Sequence, residues 1–485
     1  MAKSRLLMTA SYRTVPLVVA CALFMEMVDA TVLSTALPAI AADLAVTPVS
    51  LSMAITAYVL SLALFIPLSG WLADRIGAKQ VFSLAIVVFL LGSISCGLSE
   101  SLWQLVAARF LQGLGGALMT PVARLILLRA VPRERLVDAM AWMGVPALIG
   151  PLMGPPLGGF LVDVASWRWI FWINVPIGLI GLVAVWRLIP AIPRRARRPF
   201  DRWGFLLLGC GLISLIGGLE LAGGEAASLS VSLPLVAAGI LLLLVYGRHA
   251  LRRAAPVIDL RLLRYMTFRA SLLGGLLFRL AGGALPLLLP LSLQSLHGYS
   301  ASQSGLIVAS AAFGAIAMKI MAGRVIGAFG FRRVLLFNAL TSALLVGLLG
   351  LPDPSGLGLW LLIGLLILGG FTRSLQFTSL NTIAFAEVAE DRMGDATAFS
   401  SVFAQLSMAL GVTLAALLLT YLPTQGAAPD ATDFALAFAM IGLGMSLSFL
   451  FFVGLGATAG DHLSRRGARL AAGGETTVKQ AGQQP

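Results

Sequence analysis

Long apolar runs separated by short polar connections dominate the chain, and their length predicts membrane-spanning helices. An α-helix needs about 20 apolar residues to cross the hydrocarbon layer of a bilayer. Fourteen runs approach or exceed that length: Val15–Ala39, Leu51–Leu72, Val81–Leu98, Leu102–Leu127, Val137–Val162, Trp169–Ile189, Trp203–Leu221, Val231–Leu251, Phe268–Leu293, Ser302–Met321, Val334–Leu351, Gly358–Phe385, Gly394–Leu422 and Phe434–Gly456. The pattern therefore predicts an all-α polytopic membrane protein with 14 transmembrane helices.

Composition agrees with this assignment and excludes a soluble fold. The chain is 59% hydrophobic and only 11% charged, whereas about 25% of the residues of a soluble domain are charged. The formal net charge is +13, but the basic residues cluster in short connections between apolar runs. That distribution is typical of membrane topology rather than of a nucleic-acid-binding face.

The charges of the connections predict the orientation of the chain. One set of alternate connections is rich in arginine and lysine, and the other set carries acids with Arg168 as its one basic residue. Because basic connections stay in the cytoplasm, both termini are expected there. The polar tail after Asp461, rich in glycine and glutamine, is expected to be disordered. The basic connections contain Arg75, Lys79, Arg129, Arg133, Arg135, Arg194, Arg195, Arg197, Arg198, Arg202, Arg252, Arg253, Arg261, Arg264, Arg332 and Arg333.

A sequence repeat relates the two ends of the chain. The second predicted span is followed by Gly70-Trp-Leu-Ala-Asp-Arg-Ile-Gly77, and the tenth by Gly323-Arg-Val-Ile-Gly-Ala-Phe-Gly330. Both copies place two glycines seven residues apart at a cytoplasmic helix end, with basic residues after them. Repeated halves are the usual construction of secondary transporters, whose substrate site lies near the midplane between the halves.

The first copy resembles the loop 2–3 signature of the major facilitator superfamily, and the second resembles its weaker counterpart. The two copies lie eight spans apart instead of six, which resembles the 14-span drug:proton antiporter family (DHA2) of that superfamily. Further resemblances are carried by Asp29–Pro38, Arg109–Gly113, Gly150–Gly159, and Ser166–Phe171 followed by Asn174–Gly178. The resemblance implies an MFS fold of two six-helix bundles plus two inserted helices.

On this plan the chain divides into seven segments. The ranges are a cytoplasmic N-terminus at 1–14, an N-terminal six-helix bundle at 15–189, a basic linker at 190–202, the inserted helix pair at 203–251, a second basic linker at 252–267, a C-terminal six-helix bundle at 268–456 and a cytoplasmic tail at 457–485.

Two acids inside the first span are the leading candidates for proton coupling. Glu26 and Asp29 lie in an apolar helix, where a charge is costly and is retained mainly for function. Helix rise puts Asp29 and Arg109, in the fourth span, at nearly the same depth. Arg109 would favour the ionised form of Asp29 and low-polarity surroundings the protonated form, so that the acid could load and release a proton. A static pair that joins two helices is the alternative.

Glu26 lies three residues earlier on nearly the same helix face. It is interpreted as a second proton site or as the acidic contact for a cationic drug, with a hydrogen bond to a neighbouring helix as the alternative. Glu220, near the periplasmic end of an inserted helix, is expected to lie at the membrane interface.

Arginines in the second half predict the other side of a substrate cavity. Arg279 and Arg373 fall near mid-membrane, and Gln376 and Asn381 follow Arg373 on one helix. With Glu26 and Gln112 they would form a cavity suited to an anionic, zwitterionic or amphiphilic substrate. The alternative is that the arginines pair with acids or with helix-end carbonyls.

Two further motifs have roles that the family resemblance implies. Gly70, Asp74, Arg75, Gly77 and Lys79 would form a cytoplasmic latch that opens during the transport cycle. The fifth span would act as a hinge and as a seal against proton leak, with simple close packing as the alternative. Its glycines and prolines are Gly150, Pro151, Gly154, Pro155, Pro156, Gly158 and Gly159.

The sequence thus favours a proton-coupled exporter of drugs or other small molecules that works by alternating access. Alternatives are an exporter or flippase of an endogenous anionic or amphiphilic compound such as a lipid, siderophore or metabolite, and a uniporter or channel. No catalytic cluster suggests an enzyme, and the three cysteines are expected to be buried thiols rather than metal ligands. We expect no cofactor besides the proton, no metal, no nucleic-acid partner, and a monomer surrounded by lipid in the bacterial inner membrane.

Overall fold

The computed structural model describes residues 2–131, 136–190, 199–223, 229–423, 428–460 and 463, without the side chains of residues 2–13 and of several residues between 136 and 148. In these ranges the chain forms α-helices joined by short 3₁₀ turns. The helices are α1 (Ala2–Val32), α2 (Leu37–Asp43), α3 (Ser52–Ile76), α4 (Ala78–Gly97), α5 (Leu102–Ala130), α6 (Leu136–Val164), α7 (Trp169–Trp172), α8 (Asn174–Leu188), α9 (Arg202–Gly223), α10 (Leu229–Arg252), α11 (Met266–Leu291), α12 (Ala301–Phe329), α13 (Phe331–Gly347), α14 (Leu357–Ile383), α15 (Met393–Tyr421), α16 (Ala431–Ser446) and α17 (Ser448–Val453).

The predicted all-α membrane fold is confirmed. Among the described residues, 13 helical segments are long and apolar enough to cross a membrane, with α7 and α8 forming one segment and α16 and α17 another. Helices suit this environment because every backbone polar group must be satisfied inside hydrocarbon. The remaining predicted span, Val137–Val162, coincides with the 29-residue helix α6. The count of 14 stays a prediction, since the side chains of α6 are described only in part.

The chain divides into two compact units. Unit 1 contains Met1–Asp259, Gly282–Ala309 and Ser401–Ala437, and unit 2 contains Leu260–Ala281, Ser310–Ser400 and Phe438–Pro485. In unit 1, α5 packs against α3 and α4, α1 packs against α6 and α8, and α9 packs against α10. In unit 2, α13 packs against α14 and α17. The predicted boundaries of the two bundles stay a prediction.

The sequence repeat corresponds to a repeated backbone turn. Gly77 and Gly330 each stand directly before a helix, with φ of +107° and +78°. Both values lie in the region that side chains disfavour and glycine adopts freely. The glycines of the repeat are therefore explained by the tight reversal between consecutive spans.

The basic residue two positions after each of these glycines has the same contact in both halves. Lys79 Nζ donates to the carbonyl oxygen of Ile189, just after the end of α8, at 2.6 Å. Arg332 Nη2 donates to the carbonyl oxygen of Val453, the last residue of α17, at 3.1 Å. Cations are favourable at helix C-termini, where carbonyl groups lack partners. The repeat thus extends to a contact between the third and the last span of each half.

The inserted pair, α9 and α10, is held together where α9 begins and α10 ends. His249 Nε2 lies 2.9 Å from Asp201 Oδ1, and Asp201 also accepts the backbone N–H of Gly204 at 3.0 Å. The ring of Phe205 in α9 contacts that of Phe65 in α3, with centroids 6.0 Å apart. The pair therefore packs on α3 as well as on itself.

Several expectations need correction or lie outside the description. Helix α1 begins at Ala2 rather than near Val15, although its apolar span begins at Thr14. Cys96 is buried, whereas Cys21 is partly exposed and Cys210 is exposed. The basic residues at 133, 135, 194, 195, 197 and 198, together with the predicted disordered tail apart from residue 463, lie outside the described residues.

Candidate functional site

Asp29 is the centre of a buried polar network in unit 1. Its carboxylate accepts hydrogen bonds from Arg109 Nη1 at 2.7 Å, Gln112 Nε2 at 2.8 Å and Asn174 Nδ2 at 2.8 Å. Asp29 is completely buried, and Arg109 is 1% exposed. The predicted contact between Asp29 and Arg109 is confirmed, and the network joins α1, α5 and α8.

Aromatic rings and polar groups fix the position of Arg109. Its guanidinium lies over the Tyr58 ring at 4.2 Å from the centroid and 5.9 Å from that of Phe171. Arg109 Nη1 also donates to Gln112 Oε1 at 2.6 Å. A guanidinium stacked on aromatic rings keeps its charge at lower desolvation cost. Gln112 was expected to line the substrate cavity, but both ends of its amide belong to this network. Its Oε1 accepts from Arg109 and its Nε2 donates to Asp29.

Glu26 is buried close to this network but has different partners. It is 4% exposed and accepts a hydrogen bond from Thr120 Oγ1 at 3.1 Å. No basic side chain among the described residues forms an ion pair with it. The hydroxyl group of Tyr58 and the Glu26 carboxyl group both lie beside Gly116, where a Cβ atom would be 3.1 Å and 3.7 Å from them, respectively.

The two acids therefore suit different protonation states. Asp29 is surrounded by N–H groups, which can only donate, and it is paired with a cation, so its site fits the carboxylate. Glu26 faces a hydroxyl group, which can donate to a carboxylate or accept from a carboxylic acid. A buried charge without a partner costs several kcal/mol. In this arrangement the site of Glu26 fits the protonated acid.

In unit 2, Arg279 and Arg373 are held without a carboxylate partner among the described residues. Arg279 is 2% exposed, donates from Nη2 to Asn381 Oδ1 at 3.0 Å, and has its Nη1 buried without a hydrogen bond. Arg373 donates from Nε to the carbonyl oxygen of Gly369 at 3.3 Å. The predicted mid-helix arginines thus keep hydrogen-bonding capacity for an additional acceptor.

Gln376, also predicted to line the cavity, is committed to helix packing instead. Its Oε1 accepts from Asn338 Nδ2 at 3.0 Å, and its Nε2 donates to the carbonyl oxygen of Leu335 at 3.4 Å. The side chain is fully buried. It joins α14 to α13, because the face of α14 that carries Gln376 differs from the one that carries Asn381.

The residues of the predicted latch lie together at the ends of α3 and α4. Asp74 Oδ1 lies 2.7 Å from Arg129 Nη2, in the last turn of α5. The guanidinium of Arg75 lies over Trp71 at 5.1 Å. The partner Arg129 was not singled out from the sequence, although a basic residue in the last turn of a neighbouring span is the signal that could have identified it. Gly70 has open space at its Cβ position, so packing does not explain it.

Helix α6 continues without interruption through Pro151, Pro155 and Pro156. Its glycines face neighbouring backbone at close range. A Cβ atom on Gly150 would lie 2.7 Å from Cβ of Met27 in α1, and one on Gly159 would collide with the carbonyl oxygen of Ala301 at the start of α12.

The same face continues at Gly154 and Gly158. A Cβ atom on Gly154 would collide with Thr31, and one on Gly158 with the carbonyl oxygen of Val32. Thr35 Oγ1 donates to the carbonyl oxygen of Pro155 at 3.3 Å. Small residues permit close approach of helices in membranes. The close-packing interpretation of this motif is confirmed within unit 1, and its role as a hinge stays a prediction.

Glu220 was expected at the membrane interface, and that expectation is wrong. It is 6% exposed and accepts hydrogen bonds from Ser52, Thr56 and Thr413. The interfacial assignment rested on nearness to a helix end, which does not specify the direction of a side chain.

Comparisons with known proteins agree with this architecture. MdtD of Serratia proteamaculans strain 568, a protein named for multidrug resistance, is 40% identical over 412 residues, which cover 85% of this chain and 86% of the relative. HsrA of Haemophilus influenzae, named as a transport protein, is 39% identical over 409 residues, covering 84% and 88% of the two chains.

Solved transporter structures share the fold. The crystal structure of a D-xylose–proton symporter matches with a TM-score of 0.67 at 14% identity, covering 93% of this chain and 99% of that one. The human organic anion transporter MFSD10 matches with a TM-score of 0.60 at 16% identity, covering 91% and 99%. These likenesses concern the fold alone.

The sequence profile of the Major Facilitator Superfamily matches residues 19–255 and 271–472. Helices that fill most of the chain, polar residues inside its spans and the relatives above agree with that match. The protein is a membrane transporter rather than an enzyme, and it belongs to the Major Facilitator Superfamily.

Proposed function

We propose that the chain is a proton-coupled exporter that exchanges a small molecule for protons by alternating access. The observation that carries the proposal is the pair of fully buried acids, Glu26 and Asp29, one turn apart in a candidate span. Ionisable groups inside a transporter span are commonly proton or ion sites. The relatives named for multidrug resistance support export of drug-like molecules.

In this proposal the two acids have different roles. Asp29 stays ionised and, with Arg109, forms a fixed electrostatic framework. Glu26 exchanges the proton, because its hydroxyl partner Thr120 tolerates both protonation states and no described cation holds it ionised. A cationic substrate that approached Glu26 would favour release of this proton, and a returning proton would favour release of the substrate. Competition of this kind couples the two movements.

The latch and α6 provide the conformational part of the proposal. The ion pair between Asp74 and Arg129 ties α3 to α5 at their cytoplasmic ends and would reorganise as access alternates. The glycine face of α6 packs closely against α1, and this close contact would limit proton leak past Glu26.

Dye transport by purified protein in proteoliposomes tests the proposal. With ethidium as the probe, a pH gradient should drive uptake of the dye by the wild-type protein. Glu26→Gln should lower this uptake by at least about 10-fold and weaken dye binding, because a neutral side chain at this position mimics the protonated acid that releases the substrate. Glu100→Gln, at an exposed acid between α4 and α5, is the matched control and should transport normally. Gradient-driven uptake that persists in Glu26→Gln would remove Glu26 from the coupling.

A second candidate function is export or flipping of an anionic or amphiphilic compound. Arg279 favours it, since its buried Nη1 has no hydrogen-bond partner among the described residues, and Arg373 adds a second cation on α14. Guanidinium groups are suited to carboxylates and phosphates. Arg279→Gln should then reduce transport of carboxyfluorescein by about 10-fold or more and leave ethidium transport unchanged. If Arg279→Gln transported both dyes as the wild-type protein does, this candidate function would be excluded.

A uniporter or channel would move the dye only down its own gradient and would not respond to pH. We further propose a monomer in the bacterial inner membrane, with both termini in the cytoplasm. The charge asymmetry of the connections supports the orientation, and the bacterial relatives support the location.

A further inference from the structure

The inserted helix pair contains a buried acid that the coupling described above does not use. Glu220 lies in the last turn of α9 and is 6% exposed. Ser52 Oγ donates to one carboxyl oxygen at 2.7 Å, and Thr56 Oγ1 donates to the other at 2.7 Å. Thr413 Oγ1 contacts the same oxygen as Thr56, at 2.5 Å. All four residues belong to unit 1.

Arg109 of α5 lies against the ring of Tyr58, two residues after Thr56. Charged groups on α3, α9, α10 and α15, the helices that contact Glu220 or pack on α9, are remote from Glu220. Among the described residues, they lie at least about 20 Å away along the helix axes, at 1.5 Å per residue. Tyr58 and Tyr421 on these helices have other partners: the ring of Tyr58 lies against the Arg109 guanidinium, and Tyr421 donates to the carbonyl oxygen of Ala222. The remote groups are Asp74 and Arg75 on α3, Arg202 on α9, Arg248, His249 and Arg252 on α10, and Asp395 on α15. Glu225 lies outside the described residues.

The chemistry of the partners suits an acid that changes its protonation state. A hydroxyl group donates to a carboxylate and accepts from a carboxylic acid. Thr413 is placed for both, because its Oγ1 also lies 3.1 Å from the carbonyl oxygen of Ala409, to which it can donate while it accepts from Glu220. The Asp29 site, with its N–H donors and its cation, lacks this freedom.

The partners also come from helices that the sequence repeat assigns to opposite halves. Ser52 and Thr56 are in α3, the second span of the first half, and Thr413 is in α15, the fifth span of the second half. Movement of these helices relative to one another during alternating access would change the distances between Glu220 and its hydroxyl partners. Loss of a hydroxyl partner changes the relative free energies of the carboxylate and the acid.

We propose that Glu220 is a second proton-exchanging acid of the transport cycle, and that Ser52, Thr56 and Thr413 form its site. This inference rests on the proposed proton-coupled transport. The carboxylate accepts a proton from hydronium, forming an O–H bond and leaving water, and returns it to water when the site opens. The inserted pair is then part of the coupling machinery and not only a lipid-facing addition.

The packing of α9 against α15 does not depend on protonation of Glu220. Thr420 Oγ1 donates to the carbonyl oxygen of Gly223 at 2.8 Å, and Tyr421 donates to that of Ala222 at the same distance. These contacts satisfy the last carbonyl groups of α9. Glu220→Gln keeps the size of the side chain, and its NH₂ group can donate to a hydroxyl group, which accepts as well as donates. The amide cannot exchange a proton, and the variant should fold normally.

Infrared difference spectroscopy and dye transport on the same preparations test the inference. The difference spectrum of the wild-type protein between about pH 5 and about pH 9 should contain a C=O band of protonated carboxyl groups. The component of this band that belongs to Glu220 should be absent in Glu220→Gln and present in Glu26→Gln and Glu100→Gln. Glu220→Gln should also lose at least about 10-fold of pH-driven ethidium uptake and keep dye binding. Thr413→Val should shift the pH midpoint of that band component, and Thr413→Ser, which retains the hydroxyl group, should not.

The outcomes separate this inference from the proposed function. An unchanged band in Glu220→Gln overturns the proton site, and a lost band with normal pH-driven uptake overturns its part in the cycle. Wild-type uptake that ignores the pH gradient refutes the proposed coupling itself, whatever the band shows. If Glu220→Gln does not fold, the pair of Thr413 variants decides, because equal midpoints in both contradict the hydroxyl site.

Discussion

Replacement of Asp29 by asparagine tests the buried network most sharply. The substitution keeps the shape of the side chain but removes the charge that balances Arg109, and it turns one acceptor into an NH₂ group that faces a donor. Breaking a buried ion pair by removal of one partner costs about 3–5 kcal/mol. We expect Asp29→Asn to lower the free energy of unfolding by about that amount, because Asp29 and Arg109 are both almost wholly buried.

A double-mutant cycle separates this loss from general damage. Arg109→Gln leaves the carboxylate buried without its cation and should cost a similar amount. The double variant should lose less than the sum of the single losses by about 2–3 kcal/mol, since no uncompensated charge remains. Equilibrium unfolding in mixed micelles, followed by tryptophan fluorescence, gives the four free energies. The matched control is Asp43→Asn, at a partly exposed ion pair with Arg168, with a cost of at most about 1 kcal/mol. An Asp29→Asn loss below about 1 kcal/mol, or strictly additive single losses, would refute the electrostatic account.

Three further predictions concern the latch, the tight helix contact and the ion pair between Asp43 and Arg168. Asp74→Asn should impair ethidium transport several-fold while dye binding persists, since the latch acts on the movement; lost binding would contradict that role. Gly159→Ala should lower the free energy of unfolding by about 1–3 kcal/mol, because its Cβ would collide with backbone, whereas Gly144→Ala in the same helix, which meets nothing within 4 Å, should not; equal unfolding curves would refute the contact. Hydrogen bonds from Arg168 and then from Trp167 hold the pKa of Asp43 below its usual value. The contribution of this pair to stability should therefore be fully present at neutral pH and decline as the pH falls from about 4 through the lowered pKa of Asp43. The difference in unfolding free energy between wild-type protein and Asp43→Asn should be smaller at about pH 3 than at about pH 7; an equal difference at both would oppose this reasoning.

The all-α membrane fold, the repeat and the Asp29–Arg109 contact could be predicted because they depend on run length and depth. An apolar run of about 20 residues crosses the hydrocarbon layer as an α-helix. The rise of about 1.5 Å per residue then gives the depth of each residue in the bilayer. Gly77 and Gly330 could be identified because a reversal with positive φ needs glycine.

Side-chain direction around a helix axis could not be predicted in the same way. Helices that are apolar on all sides carry no periodic signal that says which face meets which neighbour. Glu220 and Gln376 were therefore assigned the wrong surroundings. Asn174 and Thr120, which complete the sites of Asp29 and Glu26, are short polar residues whose partners become visible only when α8 and α5 are packed.

The direction of dye movement under a reversed pH gradient tests proton coupling most directly. Wild-type protein in proteoliposomes, with equal ethidium concentrations on both sides, should accumulate the dye on the acidic side, and inversion of the gradient should invert the direction of net movement. Movement that follows only the concentration gradient of the dye, whichever side is acidic, would contradict proton-coupled export.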